Sequence, residues 1–207
     1  MAKRGFLGVS TFCSNDTHVS LEKKGVRGWF KRNIYIYSYN SKMNPIHTPW
    51  TLWYHPIEDS NWTKDTYTKV ADIDSVEQFI GVFNNFPSFT KGMFFLMRKD
   101  IFPQWEDESN INGGYWSFKI AKNLSEKAWY ELAASCIGEC LTKNQNHMQN
   151  INGISYSPKI NNVIIKILNR WANKNDPSQL TDKIEYLHPS TSQYKPHIEN
   201  KDEFVNQ

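Results

Sequence analysis

The sequence lacks the features that mark several large classes of protein. Its 207 residues contain three cysteines, Cys13, Cys136 and Cys140, and an odd number of thiols argues against a framework of paired disulfides. No apolar run approaches the roughly 20 residues that cross a bilayer. The formal net charge is only +3, which excludes a strongly basic nucleic-acid coat and leaves room for a local basic patch. These shortages favour a reduced cytoplasmic protein with no membrane association.

Signals of catalysis are equally scarce. The six histidines are scattered without an HxxxH spacing, and there is neither a glycine-rich phosphate loop nor a nucleophile elbow. Glu106 and Asp107 are adjacent, and neighbours in an extended chain point in opposite directions, so they make a poor acid–base pair. Cys136 and Cys140 lie one helical turn apart without further ligand spacing, which favours core thiols over a metal site. The sequence therefore predicts a non-enzymatic protein without metal or cofactor.

Aromatic side chains, in contrast, are abundant, at 14% of residues with eight tryptophans. Most of these tryptophans are expected in the core, but Trp62 and Trp105 lie in polar loops beside acidic residues. They are either hydrophobic plugs or a pair of stacking plates. A flat base gains about 1–3 kcal/mol from each stacking contact, and a positively charged base adds about 2 kcal/mol of cation–π attraction.

The acid beside Trp105 narrows the choice of base. Glu106 could accept N–H donors from the edge of a stacked ring through charge-assisted hydrogen bonds. One ligand that uses stacking, cation–π attraction and such hydrogen bonds together is 7-methylguanine, because its methyl group makes the ring cationic. The pattern therefore indicates a slot for this base.

Hydrophobic periodicity predicts an α+β fold of mainly antiparallel strands, with a few helices covering one face. Asp74 and Glu77 have the spacing of a capping box that opens the first helix. Asn112, Gly113 and Gly114 are predicted to supply the positive φ angles of a tight hairpin. Strands are predicted at 49–55, 92–99, 114–120, 151–159, 161–169 and 184–187, and helices at 73–86 and 125–141.

Five stretches of the sequence together resemble the cap-binding translation initiation factor 4E family. Their order and spacing agree with that family over about 60% of the chain, and the WED…GGYW stretch is the most specific. The stretches are TPWTLWYH (48–55), NW (61–62), DSVEQF (74–79), WEDESNINGGYW (105–116) and IGE (137–139).

The resemblance carries definite expectations. It implies a curved antiparallel sheet with helices on the convex face and a ligand slot on the concave face. It implies a monomer that binds the 7-methylguanosine 5′ cap of mRNA and acts in translation initiation or its regulation. Composition and polarity predict a partly disordered N-terminal extension (1–43) and a flexible C-terminal tail (189–207), and the resemblance assigns the cap-binding domain to the segment between them (44–188). Within the extension, the alternating stretch 28–40 could instead form an edge strand.

Site residues follow from the resemblance by position. Trp62 and Trp105 resemble the two stacking tryptophans, and Glu106 resembles the acid that reads the guanine edge. Lys159 stands where the family places a phosphate-binding arginine. Tyr115 and Asn161, for the phosphates and ribose, and Leu168, for the methyl group, stand at further family positions. Lys166 is a phosphate candidate because it shares a strand face with Leu168, and Arg170 is a further basic candidate nearby.

Departures from the family pattern indicate a divergent member, from a distant lineage or a virus. Tyr115 stands where a basic residue is usual, Asn161 and Ile164 replace phosphate lysines, and Leu168 replaces the tryptophan that touches the methyl group. The base-reading half of the site is therefore intact, while the phosphate half is reduced and relocated.

The convex face resembles the family's partner surface, which receives a helical 4E-binding motif from an initiation scaffold or an inhibitor. Ile80 replaces the tryptophan usual there, so we expect altered partner specificity. An alternative is a decoy that engages initiation partners, or that sequesters caps without recruiting ribosomes. Generic binding of single-stranded RNA would need a longer basic track. The candidate partner residues are Pro45, Val76, Ile80, Tyr130, Glu131, Ala134 and Ile137.

Overall fold

The computed structural model describes residues 43–86 and 88–198, and its sheet begins with a strand whose apolar core residues share one face. In β1 (Pro45–His55) the side chains of Trp50, Leu52 and Tyr54 are buried on one face, as the two-residue period requires. The other strands are β2 (Thr68–Ser75), β3 (Met93–Arg98), β4 (Gly114–Ala121), β5 (Ile151–Pro158), β6 (Asn162–Asn169) and β7 (Gln193–Pro196).

The strands form one seven-stranded curved sheet in the order β2-β1-β3-β5-β6-β4-β7, and every pair is antiparallel. Two helices, α1 (Val76–Asn85) and α2 (Lys122–Ile137), cover one face. Apolar residues of both helices share the main core with inward residues of the sheet, among them Phe79, Trp129 and Leu132. A smaller cluster around Tyr67, Phe95 and Leu168 covers the opposite face. The α+β expectation is confirmed.

A buried ion pair fastens the end of α2 to the sheet. The Arg98 guanidinium donates to both carboxylate oxygens of Glu139, over 2.9 and 2.8 Å, and also to the carbonyl oxygens of Met148 and Ile151. Such a bidentate pair satisfies most polar atoms of a charge that would otherwise be costly to bury. The IGE stretch therefore has a structural role here.

The first helix begins at Val76 rather than at residue 73, and its N-cap lies one residue after the one that the sequence predicts. Ser75, not Asp74, is the N-cap: its hydroxyl accepts from the Gln78 amide at 3.2 Å, and the Gln78 side chain reaches back to the Ser75 amide. Asp74 is still part of β2. Two acceptable capping boxes overlap in the sequence by one residue, and the extent of the strand decides between them.

The predicted hairpin at Asn112–Gly114 is wrong. β3 pairs with β1 and β5, whereas β4 pairs with β6 and β7, so the two strands flanking that turn are not neighbours. No glycine in the described ranges has a positive φ. Gly113 is required for another reason: a Cβ there would overlap the carbonyl oxygen of Asn169. Close backbone approach, rather than turn geometry, explains the glycine.

The C-terminal part of the fold also differs from the sequence prediction. Residues 184–187 form a turn whose Ile184 and Leu187 are buried, not a strand. The last strand is β7, which lies in the segment assigned to a flexible tail and pairs with the outer edge of β4. Tyr194 anchors it, with its ring against Trp116 and its hydroxyl donating to Asn169 Oδ1 at 3.0 Å. A short polar strand covers an otherwise open edge here, which composition alone does not reveal.

Two sequence predictions fall outside the described residues. The extension before Met43, including the 28–40 stretch, and residues 199–207 carry no structural description. In the ranges that are described, no helix has the length and apolar character needed to span a membrane.

A pair of glycine substitutions tests the close approach at the end of β4. Gly113→Ala should lower the free energy of unfolding by more than about 3 kcal/mol, because a backbone carbonyl must move to admit the methyl group. Gly81→Ala is the matched control: it lies inside α1 with open space around it, and should raise the free energy by about 1 kcal/mol. Urea unfolding curves measure both. Equal effects would contradict the packing described here.

Candidate ligand-binding site

A cleft of about 660 Å³ opens on the sheet face opposite the helices. Its walls combine residues from three segments outside the strands with side chains of the four strands β3, β4, β5 and β6. The lining residues are Trp62, Tyr67, Phe95, Pro103, Gln104, Trp105, Glu106, Tyr115, Ser155, Ser157, Lys166, Leu168 and His197. The structure therefore brings together the three residues predicted to read a base and three of the six predicted around them.

The Trp62 indole is supported on one face by a second aromatic ring. The residue is 49% exposed, yet one face of the indole stacks on the buried His55 ring, with centroids 4.2 Å apart and planes 11° apart. The His55 ring nitrogens lie 2.8 Å from the Pro56 carbonyl oxygen and 2.9 Å from that of Asn61. Because the supporting ring is fixed by both neighbours, Trp62 is held in the wall of the cleft.

The two adjacent acids have separate roles. The Asp107 carboxylate accepts from the amides of Phe102, at 3.1 Å, and Ser109, at 2.9 Å, so it closes the loop that carries Trp105. Glu106 is exposed and lines the cleft. The two adjacent carboxylates are therefore placed differently, since that of Asp107 closes the loop and that of Glu106 lines the cleft.

Two buried asparagines, Asn110 and Asn152, hold the Trp105 loop in place through hydrogen bonds. Asn110 donates to the carbonyl oxygens of Phe102 and Gln104, and Asn152 on β5 donates to the Ser109 carbonyl oxygen at 2.6 Å and to Asn110 Oδ1 at 2.9 Å. Sequence reasoning missed both, although a lone asparagine in the apolar stretch INGISY was an available signal.

A further hydrogen bond links the two tryptophan-bearing loops directly. The Gln104 side-chain amide donates to the Trp62 carbonyl oxygen. The plates are therefore connected to each other as well as to the sheet.

The cation in the cleft comes from β6. Lys166 Nζ lies 3.9 Å from the centroid of the Tyr115 ring on β4. Burial is the main cause that lowers the Lys166 pKa to about 8, and the charges of Lys159 and Lys195 add to it. Tyr115, which occupies a usually basic position, therefore supports a cation from the neighbouring strand.

Two of the lining residues that the sequence did not predict, Tyr67 and His197, have shifted pKa values. Tyr67 packs edge-on against His55 and Phe102, and burial, followed by the charge of Glu106, raises its pKa. His197 follows β7, and burial, followed by the charge of Lys166, lowers its pKa to about 4. Both lie in segments whose composition is polar, so no periodic pattern pointed to them.

Three predicted phosphate residues lie outside the lining. Lys159 and Asn161 are exposed in the turn between β5 and β6, and Lys159 is close enough to lower the pKa of Lys166. Arg170 follows β6, and its amide donates to the Asn150 carbonyl oxygen. Leu168 does line the cleft and is buried. Across the described ranges, no three His, Cys, Asp or Glu side chains are grouped to hold a metal ion.

The predicted partner residues lie on and beside the two helices. Val76, Ile80 and Tyr130 are between 37% and 40% exposed, and the Tyr130 ring packs on Phe79. Pro45 is exposed, Glu131 and Ala134 are half-buried, and Ile137 is a buried core residue. Ile137 therefore offers little surface to a partner.

The chain is thus an α+β domain in which helices cover one face of a curved antiparallel sheet and an aromatic cleft opens on the other face. The family model described as eukaryotic initiation factor 4E matches residues 45–206. The chain belongs to that family.

Individual relatives agree with this assignment. The chain is 31% identical to eukaryotic translation initiation factor 4E of Dictyostelium discoideum over 167 residues, covering 74% of this chain and 64% of the relative. It is 30% identical to the Saccharomyces cerevisiae protein of the same name, covering 55% and 56%. The match thus spans between about half and two thirds of these relatives' lengths.

Solved structures share the fold. A complex of Caenorhabditis elegans eIF4E-3 with the 4E-binding protein Mextli and cap analog superimposes with a TM-score of 0.69 at 22% identity, over 78% of this chain and 96% of that one. A complex of Ascaris suum eIF4E-3 with m7G cap gives 0.66 at 25% identity, over 75% and 92%.

Removing the Asn152 side chain tests the anchoring of the Trp105 loop. Asn152→Ala leaves the Ser109 carbonyl and Asn110 without a buried donor, so the free energy of unfolding should fall by about 2–4 kcal/mol. Amide hydrogen exchange at Asn110 and Ile111 should accelerate beyond that global loss. The exposed Asn173 provides the control, since Asn173→Ala should change stability by less than about 0.5 kcal/mol. Unchanged exchange in the loop would refute the anchoring role.

Proposed function

We propose that this chain binds the 7-methylguanosine 5′ cap of mRNA and acts in the cytoplasm, in translation initiation or its regulation, without catalysing a reaction. The observation that carries the proposal is the presence of Trp62, Trp105 and Glu106 in the walls of one cleft. Family membership supports it, as do two fold relatives whose structures contain a cap or cap analog.

The base is bound by the two indoles and the carboxylate. Trp62 and Trp105 stack on its two faces, and Glu106 accepts hydrogen bonds from the N1–H and N2–H of guanine. Two stacking contacts of about 1–3 kcal/mol each, a cation–π contribution of about 2 kcal/mol and charge-assisted hydrogen bonds of about 1.5–3 kcal/mol contribute. After the entropic cost of association, a dissociation constant in the micromolar range or below is expected. Leu168 packs against the methyl group.

The phosphate chain lies along the basic side of the cleft. Lys166 reaches it from inside, supported by Tyr115, and Lys159 reaches it from the exposed turn at the rim. Asn161 and Arg170 complete the set at the periphery. Because few cations take part, the affinity should depend only weakly on salt, by about 0.7 log units per log unit of salt for each phosphate neutralised.

The convex face binds an initiation scaffold or an inhibitor through an amphipathic helix. Val76 and Ile80 share one face of α1, and Tyr130 beside Ala134 extends that apolar surface onto α2. Pro45 and Glu131 border it. Interface tryptophans often contribute about 2 kcal/mol or more, so isoleucine at position 80 favours a partner with a bulkier complementary anchor.

Methyl selectivity tests the cap proposal. Tryptophan fluorescence should fall on titration with 7-methylguanosine triphosphate, and the unmethylated triphosphate should bind at least about tenfold more weakly, because it lacks the cationic ring. Trp105→Leu should remove most of the binding to the methylated ligand. Equal affinity for the two triphosphates, or no binding of either, would disprove cap recognition.

Charge insertion tests the partner surface. Val76→Asp and Ile80→Asp should each weaken co-purification of a partner on cap resin by at least about tenfold, since a carboxylate would be desolvated in an apolar interface. Asn173→Asp adds the same charge at an exposed position outside both helices and outside the cleft lining, and should leave co-purification unchanged. If both Asp variants retain every partner and the cap, the alternative function gains support: the protein would sequester caps without recruiting ribosomes.

A further inference from the structure

His197, the residue that follows β7, lines the cleft, and the proposed function gives it no role. His197 is 3% exposed, its ring lies 5.6 Å from the Tyr115 ring, and its amide donates to the Gly113 carbonyl oxygen at 2.9 Å. Among the described residues, neither of its ring nitrogens has a hydrogen-bond partner. Buried polar atoms nearly always make a hydrogen bond, and one that does not lowers the stability of the fold. The two ring nitrogens of His197 therefore require a physical explanation.

The surroundings of His197 are cationic. Lys166 faces it from β6, Tyr115 from β4, and Lys195 lies two residues earlier on β7. The charge of Lys159, in the turn between β5 and β6, lowers the pKa of Lys166. No ion pair within residues 43–86 and 88–198 includes Lys166.

The Glu106 carboxylate, which also lines the cleft, affects the pKa of a different residue. The charge of Glu106 raises the pKa of Tyr67, whereas the charges that act on Lys166 are those of Lys159 and Lys195. Among the described residues the cleft is therefore polarised, with the Glu106 carboxylate beside Trp105 and the basic Lys166 beside His197. A group that accepts hydrogen bonds and carries negative charge would satisfy the ammonium and the imidazole together.

We infer that Lys166 and His197 form a proton-linked anion subsite, which takes a phosphate group of the cap's phosphate chain and gains protons when the phosphate enters. The inference rests on the proposed function, because it assigns the cap as the source of the phosphate. It goes beyond that function by placing a residue after β7 in the site and by making phosphate recognition depend on pH.

The sign of the linkage follows from the two groups. Without ligand, the Lys166 pKa is lowered to about 8 and the His197 pKa to about 4, so above pH 8 Lys166 is largely neutral. A phosphate beside them favours the charged forms and raises both pKa values. Binding is therefore strongest below pH 8. It weakens by up to about tenfold per pH unit as the pH rises from the free toward the bound pKa of Lys166.

The experiment is calorimetric titration in buffers of different ionisation enthalpy at about pH 8.5, with 7-methylguanosine triphosphate and with the 7-methylguanosine nucleoside. The triphosphate should take up about 0.7 proton more than the nucleoside. The ratio of the two affinities should fall between about pH 8 and 9, and the ionisation of the shared base largely cancels in that ratio. Inorganic triphosphate, titrated alone, distinguishes a subsite for the cap from a general anion site.

Substitutions show which side chain takes up the proton when the triphosphate binds. Lys166→Met should abolish both the extra proton uptake and the fall of the ratio, and Lys183→Met, on an exposed loop outside the cleft lining, should not. His197→Phe keeps the ring volume and should weaken the triphosphate about tenfold with little effect on the nucleoside, whereas His197→Gln should restore part of the loss. His188→Phe, at an exposed histidine, is the control. Thermal unfolding of each variant shows whether it is folded.

The outcomes separate the inference from the cap proposal. If the triphosphate binds with no extra proton uptake and a pH-independent ratio, the subsite is refuted while cap binding stands. If inorganic triphosphate alone binds as tightly as the methylated ligand, a general anion site replaces the cap subsite. If neither methylated ligand binds, both proposals fail.

Discussion

The proposed stacking of a base between Trp62 and Trp105 requires a fixed separation of the two indoles, and in this fold both indoles lie on loops. Trp62 follows β1, and Trp105 belongs to the loop between β3 and β4. Three contacts supply the rigidity that loops ordinarily lack: the His55 ring behind Trp62, the hydrogen bond from Gln104 to the Trp62 carbonyl, and the buried Asn110–Asn152 pair beneath the Trp105 loop. A slot fixed before the ligand arrives loses less conformational entropy on binding.

The same sheet separates the charges of the cleft. Glu106 lies on the loop beside the plates, whereas Lys166 and His197 come from the strands and the segment after β7. The pKa changes reflect this division, since Glu106 acts on Tyr67 while the lysines act on one another and on His197. A ligand with a cationic ring and an anionic tail matches such a cleft in one orientation. Specificity would then come from the order of charges as much as from their number.

How much of this the sequence could predict depends on the range of the interaction. The two-residue spacing of core side chains in Trp50–Tyr54 and Trp116–Ile120 predicted strands correctly, because this spacing is a local signal in the sequence. The pairing of β4 with β6 and the recruitment of β7 depend on contacts distant in sequence, so the expected hairpin at Gly113–Gly114 and the expected loose tail from 189 were wrong. At the site, Trp62, Trp105 and Glu106 were predicted from their unusual loop setting and the family resemblance. Asn152 and His197 have roles that only the assembled fold defines.

The central claim is that one methylated base lies between the two indoles. The most direct measurement is the pattern of intermolecular nuclear Overhauser effects in the complex with 7-methylguanosine triphosphate. We expect contacts from the base H8 and N7-methyl protons to ring protons of both Trp62 and Trp105, and from the methyl group to Leu168. Contacts to only one indole, or to residues outside the cleft, would contradict it.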